Sequence, residues 1–147
     1  MVKLSCFLSE CEPKAKIIVS RDITKCEHRG VNPDSCDVRQ YQIDGKVITG
    51  QEERCDWLVL NDDKKDAYYI ELKGSHIEKA IRQLENSKKL LASDLADYTP
   101  FFRIIYKSYS HSVDNMKTIK WKQDCGKDKK SGKPLAVIKQ MRYEEEI

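Results

Sequence analysis

Two acidic residues and one basic residue stand out because neighbouring, mostly apolar segments carry them. Asp56 belongs to segment 55–60, and Glu71 and Lys73 belong to segment 67–73. Both segments are short, nearly continuous in apolar residues, and contain β-branched and aromatic side chains, which is typical of buried strands. A polar turn of six residues separates them. The sequence therefore predicts a hairpin with three ionisable groups at one end.

The register of this hairpin decides how close the three groups lie. If Leu60 pairs with Ala67, Asp56 lies directly opposite Glu71, and such residues have Cβ atoms about 4.5–5.5 Å apart. Lys73 shares the face of Glu71, because side chains alternate along a strand. Opposed carboxylates destabilise the pair unless Lys73 neutralises one or a divalent cation neutralises both. Oxygen ligands suit magnesium, manganese or calcium, and an ion pair to Lys73 is the alternative without a metal.

Hydrophobic periodicity and turn residues predict the elements around the hairpin. In chain order they are a strand at 16–20, a loop at 27–37, a hairpin of strands 39–43 and 46–49 around Asp44 and Gly45, a helix at 75–95 capped by Ser75, a strand at 101–107, a helix at 112–122, a lysine-rich loop at 126–134, a strand at 135–143 and a solvated tail at 144–146. This order predicts a single domain over residues 1–147 of the α/β class, bordering on α+β. We expect a mixed central β-sheet flanked by helices on both faces, because its strands are apolar throughout.

The order of the ionisable residues resembles the PD-(D/E)XK nuclease superfamily, whose fold is called restriction-endonuclease-like. The pattern is an Asp at the start of one strand, Glu-x-Lys with an apolar x in the next, and then an amphipathic helix. The matching residues are Cys55-Asp56 and Glu71-Leu72-Lys73. The resemblance covers the core at about 38–107, which is about half the chain.

The resemblance implies a role for each residue of the motif. Asp56 and Glu71 would bind Mg²⁺ or Mn²⁺ together with the backbone carbonyl of Leu72, and Lys73 would orient or deprotonate the attacking water. Gln83 matches a Gln that many members carry on the following helix, and it falls at the boundary of the buried helix face. The implied activity is divalent-metal-dependent phosphodiester hydrolysis, most often endonucleolytic cleavage of DNA.

Three features depart from the family pattern. Cys55 stands in place of the Pro of the motif, and Ser87 stands where one branch of the family has a Tyr four residues after its Gln. No clear helix precedes the hairpin to supply a further acidic ligand. Glu52 and Glu53, close in sequence to the motif, and Asp22 are the candidates for that role, so the sequence leaves open whether one or two ions bind.

The net charge of +3 is divided unevenly along the chain. Residues 1–73 carry 12 basic and 14 acidic residues, whereas residues 74–147 carry 15 basic and 10 acidic residues. Seven lysines of the second half lie close together: Lys117, Lys120, Lys122, Lys127, Lys129, Lys130 and Lys133. Such a segment is typical of contacts with a phosphate backbone, and a solvated loop and helix face is the alternative.

The six cysteines have no paired CxxC spacing. Cys26, His28 and Cys36, with Cys11 or Cys6 as a fourth ligand, form an alternative zinc site whose spacing matches no standard pattern. We favour reduced, partly buried thiols in a cytoplasmic protein, because the chain begins without a recognisable secretory signal. His28 and His111 have no partner at a recognisable spacing.

The composition excludes some classes and leaves a choice among others. Apolar residues make up 39% and charged residues 35%, which excludes a disordered chain, and no apolar stretch is long enough to span a membrane.

We expect a metal-dependent endonuclease whose partner is nucleic acid, most often DNA. The alternative is a non-catalytic nucleic-acid- or protein-binding module on the same fold, stabilised by zinc in one version. Little room remains for a recognition domain, so a homodimer or a separate targeting protein would direct the activity.

Overall fold

The computed structural model describes residues 2–73, 76–108 and 115–147. Over these residues the chain forms eight β-strands and two α-helices, preceded by a short 3₁₀ helix at Leu4–Cys6. In chain order they are β1 (Ile17–Arg21), β2 (Glu27–Val31), β3 (Val38–Gln42), β4 (Trp57–Asn61), β5 (Asp66–Lys73), α1 (Ile77–Leu90), β6 (Thr99–Tyr106), α2 (Met116–Cys125), β7 (Ala136–Gln140) and β8 (Arg142–Glu146). Neither helix in these ranges is long and apolar enough to cross a membrane.

The larger sheet has five strands in the order β3-β4-β5-β6-β7. β3, β4 and β5 are antiparallel neighbours, whereas β6 runs parallel to β5 and β7 runs parallel to β6. Parallel neighbours need a crossover connection, and α1 and α2 lie in the two crossovers. The predicted mixed sheet of an α/β or α+β domain is confirmed.

The predicted register of the central hairpin is also confirmed. Leu60 pairs with Ala67, and Trp57 pairs with Ile70. The polar turn is closed by the side chain of Asn61, whose Oδ1 accepts a hydrogen bond of 3.0 Å from the N–H of Lys64. This register places the chain just before β4 beside the end of β5, where the ionisable residues of the motif lie.

Both faces of the larger sheet are covered, but by different kinds of element. On one face, Ile77 and Leu84 of α1 belong to a core that also contains alternate residues of β4 and β5. On the other face, Ile18 of β1 and Cys26 belong to a second core. That face is covered by a three-stranded sheet in the order β1-β2-β8. The prediction of helices on both faces is therefore wrong, because a second sheet can bury the same apolar side chains.

The predicted loop at 27–37 is wrong in its first half, which forms β2 in the middle of the smaller sheet. The turn residues on which the loop prediction depends mostly follow β2 (Gly30, Asn32, Pro33, Asp34 and Ser35), whereas Glu27 and His28 at the start of the strand are buried. The side chain of Ile147 packs closely against Gly30. A Cβ atom at position 30 would lie only 3.3 Å from that side chain, so the strand favours a glycine there. Long-range partners, which a local pattern does not reveal, therefore stabilise this strand.

The predicted hairpin around Asp44 and Gly45 does not form either. Its first strand corresponds to β3, but β3 pairs with β4. The chain folds back in a tight turn in which the N–H of Ile48 donates to the carbonyl of Ile43 over 2.9 Å. Val47 and Ile48 are both buried in the helix-side core, although the segment that contains them forms no strand.

The predicted final strand at 135–143 and tail at 144–146 are corrected together. Met141 adopts a positive φ of 63° and divides the segment into β7 and β8. The supposed solvated tail belongs to β8, which runs parallel to β2. Glu145 is buried there, because it is paired with buried cations.

The two helices differ from the predicted bounds at their ends. α1 begins at Ile77 and ends at Leu90, five residues earlier than predicted. α2 begins at Met116, where the side chain of Asn115 caps it by accepting from the N–H of Thr118 over 2.8 Å. The predicted cap Ser75, the first residues of the predicted 112–122 helix, and His111 lie outside the described residues.

Candidate active site

Asp56 immediately precedes β4, and the backbones of neighbouring segments hold it in place. Its N–H donates to the carbonyl of Ile70 over 3.1 Å, and its carbonyl accepts from the N–H of Ile43 over 2.8 Å. Its carboxylate Oδ2 accepts from the N–H of Leu72 over 2.9 Å. The Asp56 side chain is therefore directed toward the end of β5, as the register predicts.

Glu71 lies on the helix-covered face of β5, because it alternates with Ala67 and Tyr69 of the core on that side. Its side chain is only 2% exposed, and its Oε2 lies 3.4 Å from Nζ of Lys73. Its Oε1 is buried without a hydrogen-bond partner among the described residues. One carboxylate oxygen is thus available for a further ligand, and Lys73 lies beside it as predicted.

Both carboxylates have raised pKa values in this arrangement. Burial, and then the nearby charge of Asp56, raises the pKa of Glu71 to about 8, although Lys73 partly opposes the shift. Burial also raises the pKa of Asp56 to about 6, although the N–H of Leu72 opposes it. Holding both groups ionised near pH 7 is therefore unfavourable for the protein alone, and a bound cation would relieve that cost.

Gln83 and two neighbouring side chains of α1 hold the segment that leads into Asp56. Nε2 of Gln83 donates to the carbonyl of Arg54 over 3.1 Å, and Nδ2 of Asn86 donates to the carbonyl of Glu53. Oγ of Ser87 accepts from the N–H of Cys55 over 2.7 Å. Oε1 of Gln83 is buried and has no partner among the described residues, so it is a second oxygen available at this edge.

Sequence reasoning did not identify the role of Ser87 and Asn86. The signal that could have revealed them is their spacing, because residues three and four positions after Gln83 lie on the same side of a helix. In the sequence, Ser87 marks a departure from one family branch and lies on the same helix flank as Gln83, where a solvated side chain is expected; in the structure it is completely buried. It acts on the site indirectly, by positioning the backbone next to Asp56.

Replacing Ser87 with Ala is expected to lower the free energy of unfolding by about 1–3 kcal/mol, because the buried N–H of Cys55 would lose its partner. Urea denaturation measures this change. Ser93→Ala, at an exposed position after α1, is the matched control and should change stability by less than about 0.5 kcal/mol. An unchanged midpoint in the Ser87→Ala variant would contradict the positioning role.

The three candidates for a further acidic ligand lie in different surroundings. Glu52 and Glu53 are exposed, and Oε2 of Glu53 lies 3.5 Å from Nε of Arg82 on the outer side of α1. Asp22, in the turn between β1 and β2, contributes to raising the pKa of Asp56, as does Asp44. The charge of Asp22 therefore acts on the motif, whereas the side chains of Glu52 and Glu53 are exposed to solvent.

The oxygen atoms at this edge fit a hard divalent cation. Among the described residues, no group of three or more His, Cys, Asp or Glu side chains could hold a metal ion. The available side-chain ligands are the carboxylates of Asp56 and Glu71. Mg²⁺ is commonly bound by one or two carboxylates and otherwise by water and substrate, so this smaller set suits it. The role of the Leu72 carbonyl as a ligand stays a prediction.

The seven lysines of the predicted basic segment do not share one environment. Lys117, Lys120 and Lys122 lie on α2, and Lys127, Lys129 and Lys130 follow in an exposed loop. Lys133 is directed inward: its Nζ donates to the hydroxyl of Tyr68 over 2.8 Å and lies 3.2 Å from Glu145. Six lysines are thus exposed for contacts with a polyanion, whereas Lys133 is engaged within the fold.

The residues of the alternative zinc site are engaged in other contacts. Nε2 of His28 lies 2.8 Å from Oε2 of Glu145, and the described residues contain no group of three His, Cys, Asp or Glu side chains that could hold a metal ion. Cys26 belongs to the core between the two sheets. All six cysteines are free thiols.

The comparisons with known proteins leave the geometry as the basis for a functional argument. No protein-family model matches the chain, and neither the curated proteins nor the solved structures include a significant match.

Proposed function

We propose that this chain is a divalent-metal-dependent nuclease that hydrolyses phosphodiester bonds, with DNA as its substrate. The observation that carries the proposal is the buried carboxylate of Glu71 together with the half-buried carboxylate of Asp56, beside Lys73. The Glu71 side chain is 2% exposed and its Oε1 has no partner among the described residues. Burying such a group is costly unless it has a function or a ligand, and a divalent cation supplies one.

The order of the strands supports the resemblance to the PD-(D/E)XK superfamily. The antiparallel strands β3, β4 and β5 are followed by α1 and by β6 in parallel with β5. This arrangement brings the Asp and the Glu-x-Lys motif to the same edge of one sheet. The following helix directs Gln83 to that edge. The restriction-endonuclease-like core is thus part of the proposal.

Each residue has a defined task in the proposed reaction. Bound Mg²⁺ or Mn²⁺ would supply Lewis acidity and lower the pKa of a water molecule. Asp56 and Glu71 would hold the ion through their carboxylate oxygens. Lys73 would orient the attacking water and stabilise negative charge on the phosphate, since its ammonium lies next to Glu71. Gln83 would accept a hydrogen bond from that water through Oε1.

Replacing Lys73 with Ala is expected to lower the rate of DNA cleavage about a hundredfold, because the water and the phosphate would lose their positioned cation. The fold should be retained, because Lys73 is the last residue of β5 and because Glu71, whose pKa is raised to about 8, can keep its proton when its partner is removed. The measurement is incubation of plasmid, single-stranded DNA and RNA with purified protein in Mg²⁺ and in Mn²⁺. Thermal unfolding confirms that the variant is folded.

Lys79→Ala is the matched control, because Lys79 is an exposed lysine of α1. It should cleave at the wild-type rate. Equal cleavage by the wild type and the Lys73→Ala variant would contradict the assignment of the site. Absence of cleavage together with Mn²⁺ binding that Asp56→Ala does not abolish, measured by calorimetry, would favour the non-catalytic binding module.

A further inference from the structure

The five-stranded sheet ends at β7 with an open edge, because β6 is the only strand of the described chain that pairs with it. The N–H of Met141 donates to the carbonyl of Tyr106 in β6 over 2.8 Å. Backbone groups alternate along a strand, so those of Ala136, Ile138 and Gln140 are directed away from β6. No described residue donates to these groups or accepts from them. β7 therefore offers an unpaired row of N–H and C=O groups to a further strand.

The other three edge strands of the two sheets are protected. The edge of β3 is paired with the preceding chain, where the N–H of Val38 donates to the carbonyl of Pro13 over 2.7 Å. At the edge of β1, the carbonyl of Val19 accepts from Nε2 of Gln40 over 2.8 Å. β8 carries charged side chains at four of its five positions, and such charges oppose pairing with another chain. β7 is therefore the edge best suited to accept a further strand.

The polar side chains of β7 are turned toward their own molecule. A lysine on an edge strand commonly deters pairing, but Nζ of Lys139 lies 5.8 Å from the ring centroid of Tyr143 in the same chain. Nε2 of Gln140 donates to the carbonyl of Lys107 over 3.4 Å. The remainder of the strand is Ala-Val-Ile, and Ile138 packs partly against the helix-side core. The edge is thus apolar over most of its length, and its one charged side chain is engaged within the same chain.

We propose that β7 pairs antiparallel with β7 of a second copy of this chain, about a two-fold axis at Ile138, and joins the two larger sheets into one. A two-fold axis makes the contact self-complementary. The opposed pairs are Ile138 with the partner's Ile138, Ala136 with the partner's Gln140 and Val137 with the partner's Lys139. No like charges are opposed in this register, whereas a register centred on Lys139 would oppose two lysines. The charge pattern of the strand therefore selects the axis at Ile138.

A second copy also fits the length of the open edge. Pro134, before β7, has no N–H to donate, and Met141, after it, adopts a φ of 63° and ends the strand. Each copy therefore presents the same five-residue edge, and each outward backbone group of one strand finds a partner in the other. One strand of this length buries a small interface, so we expect a weak dimer that forms at micromolar concentrations. Pairing at β7 needs neither metal nor nucleic acid and is independent of the proposed nuclease function.

Sedimentation velocity of the wild type from about 1 to about 200 µM, without metal or nucleic acid, tests for the dimer. Amide hydrogen exchange at both ends of this range locates the contact, because pairing should protect the N–H groups of Ile138 and Gln140. Ile138→Lys should raise the dimer dissociation constant at least about tenfold, because two lysines would then be directly opposed. Ile17→Lys is the matched control, because Ile17 is 50% exposed on the edge strand β1, and it should dimerise like the wild type.

Gln140→Pro is the second variant, because Ile138 also packs against the core whereas Gln140 is exposed. It removes one outward N–H without affecting the pairing with β6, so it should also weaken the dimer, and thermal unfolding checks that it is folded. A wild type that stays monomeric at about 200 µM would overturn the proposal. A dimer in which residues 136–140 gain no protection, or one that folded Gln140→Pro forms with wild-type affinity, would also overturn it. Failure to cleave DNA would remove the nuclease function alone and leave pairing at β7 in place.

Discussion

A Glu71→Gln variant is expected to lose DNA cleavage by about a thousandfold and, without metal, to be more stable than the wild type at pH 8. Activity falls because Gln cannot supply the anionic oxygen that would hold the cation. Stability rises because the buried negative charge is removed while the shape of the side chain is kept. These two opposite changes at one position distinguish a functional carboxylate from a merely structural one.

The stability change has a defined dependence on pH. The pKa of Glu71 is raised from 4.5 to about 8, so the folded protein keeps a proton that the unfolded chain releases. Between those values the unfolded chain binds fewer protons, and the free energy of unfolding therefore falls as the pH rises. One proton accounts for at most about 1.4 kcal/mol per pH unit. The Glu71→Gln variant has no such proton, and its stability should depend less on pH.

Thermal unfolding in EDTA from pH 4.5 to pH 8 measures this difference. The wild type and the variant should unfold at similar temperatures at the acidic end, and the variant should be about 4–8 °C more stable at the alkaline end, which corresponds to about 2 kcal/mol. Mg²⁺ should stabilise the wild type at pH 8 and leave the variant unchanged. Glu85→Gln, at an exposed position of α1, is the control and should follow the wild type throughout. Parallel pH profiles for wild type and Glu71→Gln would contradict the raised pKa.

The hairpin that carries the site could be predicted because its information is local. Two apolar segments and a polar turn determine one register, and the pairing of Leu60 with Ala67 then places Asp56 beside the end of β5. Alternation along β5 gives the shared face of Glu71 and Lys73 without further information. The Glu-x-Lys pattern therefore predicted this cluster of ionisable groups from residues that are close in sequence.

The smaller sheet could not be predicted in the same way, because its strands depend on partners far along the chain. His28 of β2 contacts Glu145 of β8, 117 positions away. Both residues read as solvated in a local pattern, and only their pairing makes their burial favourable. The same long-range contacts hold together the smaller sheet, which covers the second face of the larger sheet.

The buried charge network between the sheets is expected to contribute the largest single effect on stability. Oε2 of Glu145 lies 2.6 Å from Nε of Arg103 and 2.8 Å from Nε2 of His28, and Oε1 lies 3.2 Å from Nζ of Lys133. Burial alone would raise the pKa of Glu145, but the hydrogen bonds from His28 and Arg103 outweigh it and lower the pKa to about 2. Glu145 is thus ionised and joins β8 to β2 and β6.

Replacing Glu145 with Gln is expected to lower the free energy of unfolding by about 3–5 kcal/mol at pH 7, because the buried guanidinium of Arg103 and the partly buried ammonium of Lys133 would lose their anion. Because the pKa of Glu145 is lowered, its contribution is present above its ordinary pKa of 4.5 and disappears as the pH falls toward 2. The difference between wild type and variant should therefore shrink in acid. Urea denaturation at pH 7 and at pH 3 measures both effects.

A double variant, Glu145→Gln with Arg103→Met, separates a network from a simple loss of packing. Removing the buried guanidinium together with its partner should restore more than half of the lost stability, because an apolar side chain of similar length needs no anion. Glu144→Gln is the matched control, since Glu144 is exposed and lies 3.9 Å from Arg29, and it should change stability by less than about 0.5 kcal/mol. Additive losses in the double variant would mean that the two side chains act independently, and the joining of the two sheets would then depend on their apolar core alone.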